Sequence, residues 1–245
     1  MKITEGIHTL DLPMKMPGME TIIYPTLIWD EENVVLVDTG LPGQLDLIKA
    51  KMEKLGVSFE KLKMVIITHQ DMDHIGCLSA IQRELGDKIQ VVAHSLEKPY
   101  LEFEKMPIKM TADFIAQVSE RIKAANGGIS KTPKEVFASK VNKTVEDGEE
   151  LNVCGGMQVI FTPGHTPGHI SIYHKKSGTM IAGDVLSVVD GQLYGPDPRF
   201  TYDMDLAKNS LKKLEKYDIK TLICYHGGEF DQNPNESISR IAKDN

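Results

Sequence analysis

Hydrophobic positions along the 245-residue chain fall into two patterns: short β-branched runs, and longer segments with apolar residues three or four apart. The runs ITEGIHTLDL, TIIYPTLIW and VVLVD, bounded by Gly, Pro or acidic turn residues, predict strands. From Gly43 to Leu55 the chain sets Leu45, Ile48, Met52 and Leu55 on one helical face. KMVIIT predicts a short buried strand, IGCLSAIQREL a helix stopped by a Gly86 cap, and KIQVVAH the next strand. Strand and helix alternate through this half. The pattern predicts an α/β fold with helices covering the sheet.

From Leu96 to about Thr132 the pattern changes to a Met-, Lys- and Glu-rich stretch. It predicts a helix from Thr111 to Asn126 that buries Phe114, Ile115, Val118 and Ile122 and ends at Gly127-Gly128. Its apolar spacing is too regular for a disordered linker, so the segment reads as a helical insertion at about 96–132 in a single domain spanning 1–245. Beyond it, LNV, MQVIFT, HISIYH and TMIAGD predict short strands separated by Gly-containing turns. A helix from Leu206 to Lys216 and a strand at TLICYH complete the second half.

Composition narrows the function. At 41% hydrophobic and 26% charged, the chain has an ordinary globular make-up. Its net charge of −7, with no Lys/Arg cluster, argues against nucleic acid, which needs a basic stripe to displace counterions. No apolar run is long enough to cross a bilayer, and MKITEGIHTLDL lacks the apolar core of a signal peptide. Cys77, Cys154 and Cys224 are odd in number and far apart, which suits free thiols in a reducing compartment. The expected location is cytoplasmic.

The chemistry begins at VIITHQDMDHIG, residues 65 to 76, where His69, Asp71, Asp73 and His74 follow a strand's carboxyl end. Alone, that could be turn and helix-cap chemistry. Three further stretches argue otherwise: FTPGHTPGH holds His165 in a Pro-Gly turn, IAGDV places Asp184 after an apolar strand, and ICYHGG places His226 after another. Four imidazoles and three carboxylates at strand ends suit two divalent cations with Asp184 bridging. His8, His94, His169 and His174 have no such place. His169 reads as a hydrogen-bonded structural residue.

The order VDTG, THxxxDH, TPGHTPGH, GD and YHGG resembles the metallo-β-lactamase superfamily across nearly the whole chain. The resemblance implies an αββα sandwich with a dinuclear site at one edge of two central mixed sheets. It implies that His69, Asp71 and His165 hold a first metal, that Asp73, His74 and His226 hold a second, and that Asp184 bridges. Asp38 of VDTG would orient a ligand histidine, where a bare reading makes it a turn aspartate. This sequence departs from the family's His-x-His-x-Asp-His motif at Asp71. Family members bind there through Nδ1, one bond beyond Cγ, and a carboxylate oxygen of aspartate has the same reach. Related flavin-linked di-iron members carry a glutamate at this place. The expected cofactors are two divalent ions, zinc overall, with iron or manganese favoured by the harder oxygen of Asp71.

By size and motif order the chain is most similar to the small-molecule esterase, lactonase and thioesterase members. The implied function is hydrolysis of a small ester, lactone or thioester by a metal-bound hydroxide, with Asp73 as proton acceptor. The alternatives are a di-iron redox enzyme, for which no appended flavin domain is present, and a non-catalytic metal-dependent binding module. Quorum-signal lactonases carry a tyrosine three residues after the bridging aspartate, where this chain has Ser187. Pocket-wall candidates are Met14, Met16 and Met19 in a hairpin loop, Phe103, Met106 and Met110 in the insertion, and Tyr194, Arg199, Phe200 and Tyr202 in a Pro-stiffened loop. A subunit interface is the other reading of the methionine loop, so a homodimer is an expectation beside a small-molecule substrate.

Overall fold

The computed structural model describes residues 1–16, 19–111, 113, 115, 116, 120 and 132–244. Two mixed sheets pack face to face. In spatial order the first holds β1 (Lys2–Thr4), β2 (Ile7–Thr9), β5 (Thr26–Trp29), β6 (Val34–Val37), β7 (Met64–Ile66), β8 (Gln90–His94) and β9 (Lys143–Val145). The second holds β10 (Glu150–Leu151), β11 (Met157–Phe161), β12 (Ile170–His174), β13 (Thr179–Gly183), β16 (Thr221–Cys224) and β17 (Gly228–Phe230). Parallel pairing runs from β6 through β9 and joins β13 to β16. Two separate hairpins are β3 (Leu12–Met16) with β4 (Met19–Ile23), and β14 (Ser187–Val189) with β15 (Gln192–Tyr194).

The central strands are apolar throughout because both faces are covered. Along VVLV, Val35 and Val37 join Ile66 and Val92 against Val159, Ile172, Ile181 and Ile223 of the opposite sheet. Val34 and Leu36, pointing the other way, pack with Ile48, Met52 and Ile81. Those last three belong to α1 (Leu45–Lys54) and α3 (Leu78–Leu85), which cover the first sheet. Met180, Ala182 and Leu222 of the second sheet pack against Leu211, Leu214 and Ile238 of α6 (Met204–Leu214) and α7 (Pro234–Asp244). Each fully buried aliphatic side chain contributes about 1.5–3 kcal/mol, so the two outer helix layers and the shared inter-sheet core are all needed. The architecture is the expected αββα sandwich.

Local differences have local causes. ITEGIHTLDL turns at Gly6 into two strands, and TIIYPTLIW breaks at Pro25, which cannot donate to a ladder. The helix expected over IGCLSAIQREL is interrupted between α2 (Met72–Ile75) and α3. A Cβ on Gly76 would lie 2.3–2.5 Å from backbone atoms of Gly40, Leu41 and Pro42, so the chain passes hard against the VDTG loop there. Gly86 closes α3 at φ 59°, the cap expected of it. After TLICYH the chain continues into β17 and α7, elements the polar sequence did not announce.

In the insertion, α4 (Lys98–Leu101) precedes residues 102–111, and α5 (Pro133–Phe137) follows with Thr132 and Glu135 in a reciprocal capping box. The helix expected over Thr111–Asn126 lies largely outside the described residues, Phe114, Val118 and Ile122 among them. Phe103 is not a pocket wall: it is buried in the helix-side core, stacked 6.3 Å from Phe137. Met14 is likewise buried there, while Met106 is exposed and Met110 packs on the core edge. Among the described residues no helix is long and apolar enough to cross a membrane.

Candidate metal centre

Loops at one edge of the sandwich bring the predicted residues together. His69 and Asp71 follow β7, Asp73 and His74 lie in α2, His165 sits between β11 and β12, Asp184 follows β13, and His226 links β16 to β17. Ligand atoms of His69, Asp71, His165 and Asp184 lie within 4.8 Å of one another, as do those of Asp73, His74 and His226. Asp184 stands between the groups. Its Oδ2 is 3.3 Å from His226 Nε2 and 3.4 Å from His165 Nε2, and its Oδ1 is 3.3 Å from His74 Nε2. The backbone makes room for this at Gly183, φ 59°, where a Cβ would come 2.6 Å from His169 Nε2.

Asp38 underpins the imidazoles. Buried, and itself at φ 62°, it accepts from Thr68 N at 2.9 Å, from the Thr68 hydroxyl at 2.8 Å and from His74 Nδ1 at 2.8 Å. Because the Thr68 hydroxyl donates to Asp38, its oxygen accepts from His69 Nδ1 at 3.0 Å. Both rings therefore keep a proton on Nδ1 and turn Nε2 inward. Those two Nε2 atoms and Asp184 Oδ1 are buried without a sound hydrogen bond. Orphaned buried donors and acceptors of this kind are costly, and a shared cation satisfies them together. The donor set fits divalent metal.

The charges interlock. Burial opposes the charged forms, yet Asp184, Asp38 and Asp73 outweigh it and hold His74 well above the ordinary histidine range. The same contest takes His226 up to about 10, through Asp184 and Asp73. Burial would raise Asp184 and Asp71, but His226 and His74 hold the first, and His69 and His165 the second, well below the usual carboxylate range. His69 goes the other way: burial, aided by the charge of His74, pushes it well down. A neutral ring with an inward lone pair is a ready ligand.

His169 is structural, as expected. Its Nδ1 lies 3.1 Å from the Thr162 carbonyl, and its Nε2 accepts from Asp184 N at 3.0 Å, so it anchors the turn that carries Asp184. Burial lowers it to about 3, which keeps that acceptor free. His8 lies near Trp29, His94 stacks on Phe161, and His174 bonds Ser177 and the Cys154 carbonyl. The three cysteines are free and buried, and burial raises Cys77 to about 11. Tyr194 and Arg199 lie exposed, the latter paired with Asp197. Phe200 and Tyr202 are also exposed, and the Tyr202 amide donates to the His165 carbonyl at 3.3 Å, which seats that loop beside the centre.

Sequence reasoning missed four contributors. Tyr225 stacks on His74 with centroids 3.7 Å apart and donates to the Asp73 carbonyl. Its place beside His226 in ICYHGG was the available signal. Glu97, fully buried, accepts from Thr166 Oγ1 at 2.8 Å, Gly168 N at 2.7 Å and Gln70 Nε2 at 3.0 Å, cross-linking two ligand loops. Lys109 of the insertion reaches Asp71. Nothing in the sequence marks Glu97 or Lys109, which are brought in across the fold, and Gln70, though it sits between His69 and Asp71, finds its partners Glu97 and Ile108 only there.

An αββα sandwich with this set of imidazoles and carboxylates at its edge defines a metallo-hydrolase class of protein. The family model described as the metallo-beta-lactamase superfamily matches residues 19–226. The chain belongs to the metallo-beta-lactamase superfamily, whose members use divalent metals. It is 28% identical over 240 residues to the probable metallo-hydrolase YflN of Bacillus subtilis (strain 168), covering 91% of this chain and 84% of that one. It is 27% identical over 205 residues to the hydroxyacylglutathione hydrolase GloC of Haemophilus influenzae, covering 82% and 84%. The crystal structure of a metallo-beta-lactamase family protein from Thermus thermophilus superimposes with a TM-score of 0.72, at 23% identity, over 99% of this chain and 80% of that one.

Proposed function

We propose that the protein hydrolyses a small ester, lactone or thioester at a centre of two divalent cations. The observation that carries this reading is the convergence of seven donor side chains, Asp184 at their centre, with three buried polar atoms left unsatisfied among the described residues. His69, Asp71 and His165 would hold one cation, Asp73, His74 and His226 the other, and Asp184 both. Bound there, such cations polarise a carbonyl and lower the pKa of water. The chain's own part is orientation and proton handling. Asp38 and Thr68 fix the two imidazole tautomers, and Asp73, partly exposed and 3.3 Å from His226 Nε2, is placed to take a proton. The relative named hydroxyacylglutathione hydrolase supports an acyl substrate.

The test is a panel of chromogenic esters, lactones and thioesters, run on protein stripped by chelator and reloaded with zinc, iron or manganese. One class should turn over, stop with chelator and recover on reloading. Metal-loaded protein inert to every class would sink the hydrolase reading, and oxygen consumption by the iron form would replace it with a redox one.

Asp71 tunes this reading. Three carboxylates against two divalent cations leave a net +1, where histidine at 71 would leave +2. Asp71→His should keep the fold, bind zinc more readily, and improve phosphodiester over neutral-ester hydrolysis. It should also move the onset of hydrolysis to lower pH, because removing one anion favours ionisation beside it. An unchanged metal preference, pH profile and substrate ratio would mean that Asp71 takes no part in cation binding.

A further inference from the structure

Lys109 reaches from the insertion into the first donor group. Its Nζ lies 2.5 Å from Asp71 Oδ2 and 2.7 Å from His165 Nε2, and those two acceptors are themselves 2.9 Å apart. A lysine ammonium only donates, and in the neutral ring with its proton on Nδ1 the His165 Nε2 lone pair accepts from it. An imidazole nitrogen has one such lone pair. A cation bound through His165 Nε2 needs the same one, so the two contacts exclude each other. A carboxylate oxygen could serve both partners, but the imidazole nitrogen cannot.

The lysine is held in place by the site's own framework. The amide of Ile108, its neighbour, donates to Gln70 Oε1 at 2.8 Å. Gln70 lies between His69 and Asp71 and is fully buried. Its Nε2 donates to Glu97 Oε2 at 3.0 Å, and Glu97 in turn ties down Thr166 and Gly168 beside His165. The second group receives no such visitor among the described residues: His226 faces Asp73 and Asp184.

Building on the two-cation reading above, we infer that Lys109 is an internal competitor for the first cation position. Occupancy is then unequal by construction. The Asp73, His74 and His226 position fills first. The His69, Asp71 and His165 position fills only as the Lys109 side chain withdraws, and until then the ammonium supplies the positive charge facing Asp71.

Calorimetric titration of metal-free protein with zinc, checked by elemental analysis, tests this on the wild type and on Lys109→Met and Lys109→Gln. Wild type should show a tight and a weak step. Both variants should tighten the weak step by about two- to fivefold, as for loss of a partly exposed ion-pair competitor, and leave the tight step unchanged. Amine-reactive footprinting of the wild type gives a readout that needs no variant: Lys109 labelling should rise when the second equivalent of zinc binds. Zinc binding in two steps with the weak step unchanged or weakened in both variants, or Lys109 labelling unaltered by zinc, overturns the competition and leaves the metal reading standing. No zinc binding by wild type or variants removes the metal reading itself.

Discussion

Asp184→Asn is expected to strip both cation positions together and to lower hydrolysis by more than about a hundredfold, since loss of a mere supporting partner of a metal ligand already costs about 10–100-fold. The reason is geometric. The Asp184 carboxylate lies 3.3–3.9 Å from Nε2 of His69, His74, His165 and His226, so it faces the inward nitrogens of both donor groups. An amide keeps the shape but loses the charge, and its NH₂ end cannot serve as a ligand. Elemental analysis should fall from two zinc ions towards none, and the zinc-induced rise in melting temperature should vanish. A variant that keeps one tightly bound zinc would show that Asp184 belongs to one group only.

The metal-free protein gives the same substitution a pH signature. His226, raised to about 10, contributes stability that is fully present below its unfolded value near 6.5 and is lost as pH rises through about 10. Asp184, held low, contributes stability present above its unfolded value near 4 and lost on acidification. The gap in melting temperature between wild type and Asp184→Asn should therefore be widest between about pH 4 and 6.5 and close towards pH 10. A gap independent of pH would mean that Asp184 acts by packing alone.

Asp38→Ala should cost stability on the order of 4 kcal/mol or more and weaken the cation position at His74 by about 10–100-fold. Three donors lose their acceptor at once: Thr68 N, the Thr68 hydroxyl and His74 Nδ1. Each unsatisfied buried group costs about 1–3 kcal/mol, and alanine at φ 62° adds strain of about 1–2 kcal/mol. The loss also reaches His69, because the freed Thr68 hydroxyl is no longer oriented to accept from His69 Nδ1. Asp38→Asn tolerates the left-handed backbone and keeps one acceptor, so denaturant melts should place it between alanine and wild type. Equal stability of Asp38→Ala and wild type would reduce Asp38 to the turn residue that a bare reading of VDTG suggests.

The sequence by itself determined the layers and the set of imidazoles and carboxylates that gather at one edge. Strand runs such as VVLV and MVIIT must be covered on both faces, which required a layered α/β fold. The seven donors could be read because each lies in a loop or short helix just past a strand end, where local sequence dictates local geometry. What the sequence left open is carried by contacts between distant segments. Glu97 meets Thr166 across 69 residues, Lys109 meets His165 across 56, and Tyr225 meets Asp73 across 152. The break at Gly76 and the burial of Phe103 are of the same kind, since both depend on what the chain packs against and not on its own periodicity. A periodic pattern specifies which face of an element is apolar. Only the tertiary structure decides which residue from elsewhere completes the hydrogen bonds and charges at that face, because a buried polar group takes its partner from whatever the fold brings within about 3 Å of it.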